Sequence, residues 1–244
     1  MVKTVPADGA SDGRSPDIWL AVETSTRVGS VAVRRKELAV ELTLGIQGTH
    51  SERLLPAIDY ALRAAGAAPD EVSVFIVGSG PGSFTGVRIA ASLAKGWAAA
   101  KGTPLYAYPS LLGVAAGSGV RGPVCPMFDA RRGEVYAACY DIQPGAADGL
   151  LEPKAWRVEE LLDELRSRGI EPTFSGEGAT LNREVIRDQF PAAQVLPEHL
   201  GLPRASNLLW LREIAPELGR VEEAQSWGPL YVREWRVTAE KGTN

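Results

Sequence analysis

Two stretches of this chain combine residue types that could do chemistry. The first is Gly78-Ser79-Gly80-Pro81-Gly82-Ser83-Phe84-Thr85-Gly86, set between an apolar run and an alanine-rich one. Glycines where a strand turns into a helix let backbone N–H groups approach a phosphate. That makes Gly80, Gly82, Ser83, Thr85 and Gly86 candidates for a nucleotide or phosphate loop. Arg88, one turn further on, could reach an anion or simply be a solvated charge. The specific fingerprints fail, because Ser83 breaks the dinucleotide glycine spacing and no Gly-Lys-Ser/Thr follows for a P-loop. A tight structural turn accounts for the glycines as well as phosphate binding does. The second stretch clusters Asp129, Arg131, Arg132 and Glu134. A catalytic reading competes there with the ordinary collection of charges at a hairpin tip.

Other chemistry is limited by what the chain lacks. His50 and His199 are the only histidines, and Cys125 and Cys139 stand in no metal-ligand spacing with them, so no metal site is expected. Two cysteines cannot frame a secreted mini-domain, and free thiols in the cytoplasm are the simplest reading. The net charge of −4 supplies no broad basic surface for long-range attraction to phosphates, so unaided tight binding to nucleic acid is not expected. No apolar run approaches membrane-spanning length.

The elements that must position these residues follow from periodicity. Residues 18–23, 29–33 and 38–44 read as three strands, and 51–65 as a helix with Ser51 as N-cap and Gly66 as C-cap. A strand at 72–77, the glycine loop, a helix over 85–101, a short strand at 104–108 and a helix at 110–116 come next. The pattern then restarts with strands at 124–128 and 134–140 flanking a turn. A helix at 158–168, a strand at 171–175 and helices near 179–189 and 206–218 complete it. This order implies mixed sheets in two α/β halves, an N-terminal domain over 18–118 and a C-terminal domain over 119–236. Residues 1–17 read as a disordered extension, and 237–244 as a flexible tail. Counting back from the turn at 129–133 pairs Cys125 with Ala138, which would point the two thiols to opposite sheet faces.

Gly80 to Arg88 (GPGSFTGVR) resembles the signature of the TsaB, or YeaZ, family. Glu23-Thr24-Ser25-Thr26 after the first strand, His50-Ser51-Glu52-Arg53-Leu54-Leu55-Pro56 and Asp129-Ala130-Arg131-Arg132-Gly133-Glu134-Val135-Tyr136 accompany it in the family's order. The match is dense over 18–140 and weak beyond, apart from Pro229-Leu230-Tyr231-Val232-Arg233. The resemblance implies an actin-like, sugar-kinase-like fold (the ASKHA class) of two related domains with mixed sheets. It also implies a place in the machinery that makes N6-threonylcarbamoyladenosine beside the anticodon, at adenosine 37 of tRNAs reading ANN codons. The family's partners are the catalytic paralogue TsaD and the ATPase TsaE. A homodimer is expected when the chain is alone, with tRNA reached only through the complex.

In the paralogue an HxxxH metal motif follows the glycine loop and the next strand. Here the corresponding positions are Ser110 and Val114, neither of them a ligand of that kind. Glu23 stands where sugar kinases of this fold use a shorter aspartate, and Thr24, Ser25 and Thr26 provide no glycine for an anion-cradling turn. No cofactor is expected on this chain alone, with ATP or ADP reserved for the assembled complex. A non-catalytic partner subunit is the leading expectation. An ATP-dependent small-molecule kinase is the alternative, and a metalloprotease is disfavoured by the missing ligand set. The partner surface is expected on Leu55 and Leu62 of the first helix and on a small-residue stripe, Ala90, Ala94 and Ala98, of the second. In that reading Ile89, Leu93 and Trp97 form the second helix's core face; the alternative is burial of the alanine stripe within the chain's own fold. Glu23, Thr24, Ser25, Asp129, Arg131 and Glu134 are family-motif positions without an assigned role.

Overall fold

An apolar run with β-branched residues and a turn-forming Thr-Ser-Thr starts the chain's first sheet. The computed structural model describes residues 17–45 and 50–232. The extension read over 1–17 (all but Asp17), the tail at 237–244 and Arg233 lie outside the described residues, as does the side chain of Ser51 proposed as a cap. Strands β1 (Ile18–Glu23), β2 (Val28–Arg35) and β3 (Leu38–Gly45) form an antiparallel meander. Helix α1 (His50–Ala64) crosses to β4 (Val72–Gly78), which pairs parallel with β1. Helix α2 (Phe84–Lys101) then crosses to β5 (Leu105–Tyr108), parallel to β4. The sheet order is β3-β2-β1-β4-β5. Ser83 caps α2 by accepting the Gly86 amide, and Gly102 ends it at φ 64°, where a Cβ would be strained.

After α3 (Ser110–Ala116) the same plan repeats. Strands β6 (Gly122–Arg131), β7 (Glu134–Gln143) and β8 (Ala146–Arg157) make a second meander. Helix α4 (Val158–Ser167) leads to β9 (Thr173–Ser175), parallel to β6, giving the order β8-β7-β6-β9. The first four strands of each half therefore share one topology, the duplicated mixed-sheet plan of an actin-like fold. Helices α5 (Glu177–Leu181), α6 (Arg183–Gln189), α7 (Ala205–Ile214) and α8 (Pro216–Gly219) follow, and the described chain continues beyond α8 to residue 232.

Alternation along the strands sends side chains to two different cores. Leu20, Val22, Val31, Val33, Phe75 and Val77 face α1 and α2. Ala21, Ala32, Val74 and Ile76 face the opposite way, toward α3, α7 and the inner face of the second sheet. The outer face of the second sheet packs against α4, α5 and α6. Although α7 follows the second sheet in the chain, it lies on the first. Glu41 of β3 accepts the Ser206 amide and hydroxyl, and Ser30 of β2 accepts the Ala205 amide. Those contacts satisfy N–H groups that a helix start leaves without partners.

The cysteine register differs from the sequence expectation. Val124 lies opposite Tyr140 and Met127 opposite Ala137, which puts Cys125 opposite Cys139. The pairing slips by one residue between Asp129 and Arg131, so Ala130 is the extra residue of a β-bulge. Counting from a symmetric turn cannot see that insertion. Both thiols are free, buried in one cluster, and held well above the ordinary thiol pKa by burial.

Candidate functional site

The glycine loop sits at the C-terminal ends of β1 and β4, where the hairpin Glu23–Thr26 leans onto it. Its amides are directed inward. Ser83 N donates to Ser25 O at 2.6 Å, Gly80 N to Ser110 Oγ at 3.1 Å, and Gly86 N to Ser83 Oγ at 3.3 Å. Thr24 Oγ1 donates to Gly86 O at 2.8 Å. Gly82 packs so closely that a Cβ there would lie 2.1 Å from Ser25 O. Gly80, Ser83 and Gly86 thus have their N–H groups committed to the chain itself, and Thr85 faces outward at the start of α2. These contacts tie the loop to the first hairpin as a latch. An anion would have to displace internal hydrogen bonds that each contribute about 1 kcal/mol net.

Glu23 lies under the latch, 1 % exposed. Its Oε1 accepts the Ser25 amide at 2.7 Å, while Oε2 is buried without a hydrogen-bond partner. Gly78 is a glycine because a Cβ there would meet Oε2 at 1.9 Å. Burial raises the Glu23 pKa above 4.5, opposed by hydrogen bonding from Ser25. The folded state therefore binds a proton that the unfolded chain releases near 4.5. The stability carried by the neutral carboxyl is fully present below that value and is lost as pH rises through the raised pKa. Glu23→Gln, whose amide keeps the acceptor without the charge, is expected to melt above the parent at pH 8. The gap should close as pH falls toward 4.5, and parallel melting curves at all pH values would show that Glu23 is not taken up neutral.

Ser110 Oγ is engaged with Gly80, and Val114 is buried in the inner core. Among the described residues no three His, Cys, Asp or Glu side chains come together in a way that would hold a metal ion.

Asp129, Arg131 and Glu134 sit at the bulged hairpin tip. Asp129 Oδ1 accepts the Arg131 amide at 2.8 Å, and Arg132 and Gly133 take the positive φ that primed two-residue turns require. Sequence reading missed Glu177, which faces Asp129 from α5. Burial raises its pKa, aided by Asp129 and opposed by the Asp129 amide, Arg27 and Arg131. Thr26, Phe128, Glu177 and Glu198 line a cavity of about 40 Å³ between the first hairpin and the second domain. A small-molecule site ordinarily occupies some hundreds of Å³.

A larger space, a groove of about 500 Å³, lies between α1 and α2. Leu54, Leu55, Phe84, Ile89 and Leu93 provide its apolar lining, and Thr85, Arg88 and Ser92 its polar edge. Leu55 is 57 % exposed. The alanine stripe of α2 faces the core rather than the surface, and Ile89, Leu93 and Trp97 pack partly buried against the same core. Ala90 and Ala94 are fully buried, Ala98 is half-buried, and Leu62 is buried beneath α1. Phe75 and its neighbours fill the space above the sheet, so only small residues let α2 approach. Ile89 and Leu93 are left to its flank, and Trp97 covers Phe75 with ring centroids 5.5 Å apart.

A family described as TsaD, tRNA N6-adenosine threonylcarbamoyltransferase, matches residues 46–233. The tRNA threonylcarbamoyladenosine biosynthesis protein TsaB of Bacillus subtilis is 33% identical over 171 residues, 69% of this chain and 75% of that protein. Its Escherichia coli namesake is 33% identical over 124 residues, 50% of this chain and 54% of that protein. The solved structure of YeaZ from Pseudomonas aeruginosa superposes with a TM-score of 0.74 at 30% identity, covering 88% of this chain and 99% of that one.

Proposed function

The chain belongs to the TsaB (YeaZ) family, and we propose that it takes part in threonylcarbamoyladenosine modification of tRNA as the partner subunit of the catalytic paralogue TsaD, with the ATPase TsaE. In this reading it does no chemistry alone, pairs with itself when the paralogue is absent, and meets tRNA only through the complex. ATP or ADP belongs to the assembly, whose product is adenosine 37 carrying threonylcarbamoyl in tRNAs reading ANN codons.

The observation that carries the reading is the α1–α2 groove, an open apolar surface beside a latch that has turned its amides inward. A solvent-facing helix pair would ordinarily present charge where Leu55, Ile89 and Leu93 stand. The kinase alternative is disfavoured by the same latch and by the narrow cavity at the hairpin. The test is co-elution with TsaD and ATP turnover by the chain alone and in the mixture. Leu55→Glu with Ser92→Glu places two charges on exposed groove positions. It is expected to weaken the complex at least about a hundredfold, as desolvating a charge at an interface does, while melting within about 0.5 kcal/mol of the parent. Parent-like assembly by the doubly charged variant, or turnover by the isolated chain, would overturn the proposal.

A further inference from the structure

The segment after α8 returns over the first domain and runs along α2. Val221 N donates to Leu105 O at 3.0 Å, Lys95 Nζ to Gln225 O at 2.9 Å, and Leu230 N to Ser79 O at 2.8 Å. Its end brings Tyr231 to the groove's edge. Arg88 Nε donates to Tyr231 Oη at 3.1 Å, and the Arg88 guanidinium lies over the Phe84 ring at 3.7 Å. Phe84 and Tyr231 in turn pack with ring centroids 5.8 Å apart. Phe84 and Arg88 both line the α1–α2 groove. A flexible arginine is thereby fixed on one face by an aromatic ring and at Nε by a phenol. Holding this conformation otherwise costs side-chain entropy that a free arginine keeps.

Among the described residues Arg88 makes no ion pair, in contrast with Arg34, Arg63, Arg166 and Arg168. Its two terminal nitrogens form the fork that matches a carboxylate. We infer that Tyr231 is a positioning residue of the docking groove, holding Arg88 so that its fork receives a carboxylate from an otherwise apolar partner helix. The inference rests on the groove being the partner surface. It assigns the C-terminal strap a part in recognition rather than in covering the fold alone.

The test is a double-mutant cycle on the full-length chain, with affinity for purified TsaD measured by titration at two salt concentrations. Tyr231→Phe keeps the ring against Phe84 and removes only the hydroxyl. It is expected to weaken binding about fivefold, the equivalent of one hydrogen bond. Arg88→Ala should weaken it about tenfold and flatten its salt dependence. The double variant should bind as Arg88→Ala does, because the hydroxyl acts only through the guanidinium. Melting curves of all three should overlay the parent's, since both side chains are exposed. Parent-like affinity of Tyr231→Phe, or additive losses in the double variant, would overturn the inference. The doubly charged groove variant separates the two failures. If it loses TsaD while Tyr231→Phe does not, only the role of Tyr231 is wrong. If it too binds normally, the groove reading falls and this inference with it.

Discussion

Ala94→Glu is expected to unfold the isolated chain rather than merely detach it from a partner. Ala94 has no exposed surface and packs with Ala90 in the core beneath α2. A glutamate there would add four heavy atoms to a filled space and place a carboxylate among apolar side chains with no cation to pair it. The cost is on the order of 5 kcal/mol, comparable with the whole stability of many domains. Circular dichroism should show no cooperative melt, or one lowered by more than about 10 °C. Leu55→Glu, one helix away and exposed, should leave the same signal unchanged. A folded Ala94→Glu variant that has lost only its partner would return the alanine stripe to the surface.

That reversal shows what kind of information the residues carry. Periodicity located α2 to within a residue of its ends, because Ser83 and Gly102 mark them by cap chemistry. It could not choose between two candidate faces. Size suggested that Ile89, Leu93 and Trp97 point inward, yet the distance between helix and sheet is set by Phe75 and Val77 on the strand below. Small side chains win the inner face when the sheet already fills the gap. Strand β8 was missed for a related reason. It is an edge strand with Leu151 as its only buried residue and Pro153 in its middle, so neither alternation nor an apolar run announces it. The cysteine register failed because a bulge at Ala130 leaves no compositional mark. The latch was not legible for a different reason. Glycines record that something approaches the backbone, and only the fold shows that the Ser25 carbonyl is such a neighbour. Tyr231 was legible only as part of a family-like motif, since its contact with Arg88 spans 143 positions of the chain.

Two glycine-to-alanine changes around one helix should act in opposite directions. Gly96 lies inside α2, and an added Cβ would meet nothing within 4 Å, so Gly96→Ala removes unfolded-state freedom without a clash. It should stabilise by about 0.5–1 kcal/mol, roughly 2–4 °C in Tm. Gly82 precedes the same helix, but a Cβ there would stand 2.1 Å from Ser25 O, 2.7 Å from Ser25 Cβ and 2.8 Å from Ser25 C. Two of those atoms are backbone and cannot swing aside. Ser25 O is also the acceptor for Ser83 N, so relieving the clash means parting the hairpin from the loop and breaking that bond. The cost should be about 3 kcal/mol, or roughly 10 °C in Tm. Because Ser83 begins α2, the displacement also moves Phe84 and Arg88 at the groove's edge. Gly82→Ala should therefore weaken binding to TsaD at temperatures where the variant remains folded, and Gly96→Ala should not. Equal melting temperatures for Gly82→Ala and the parent would mean that the hairpin and the glycine loop are not held together as a latch.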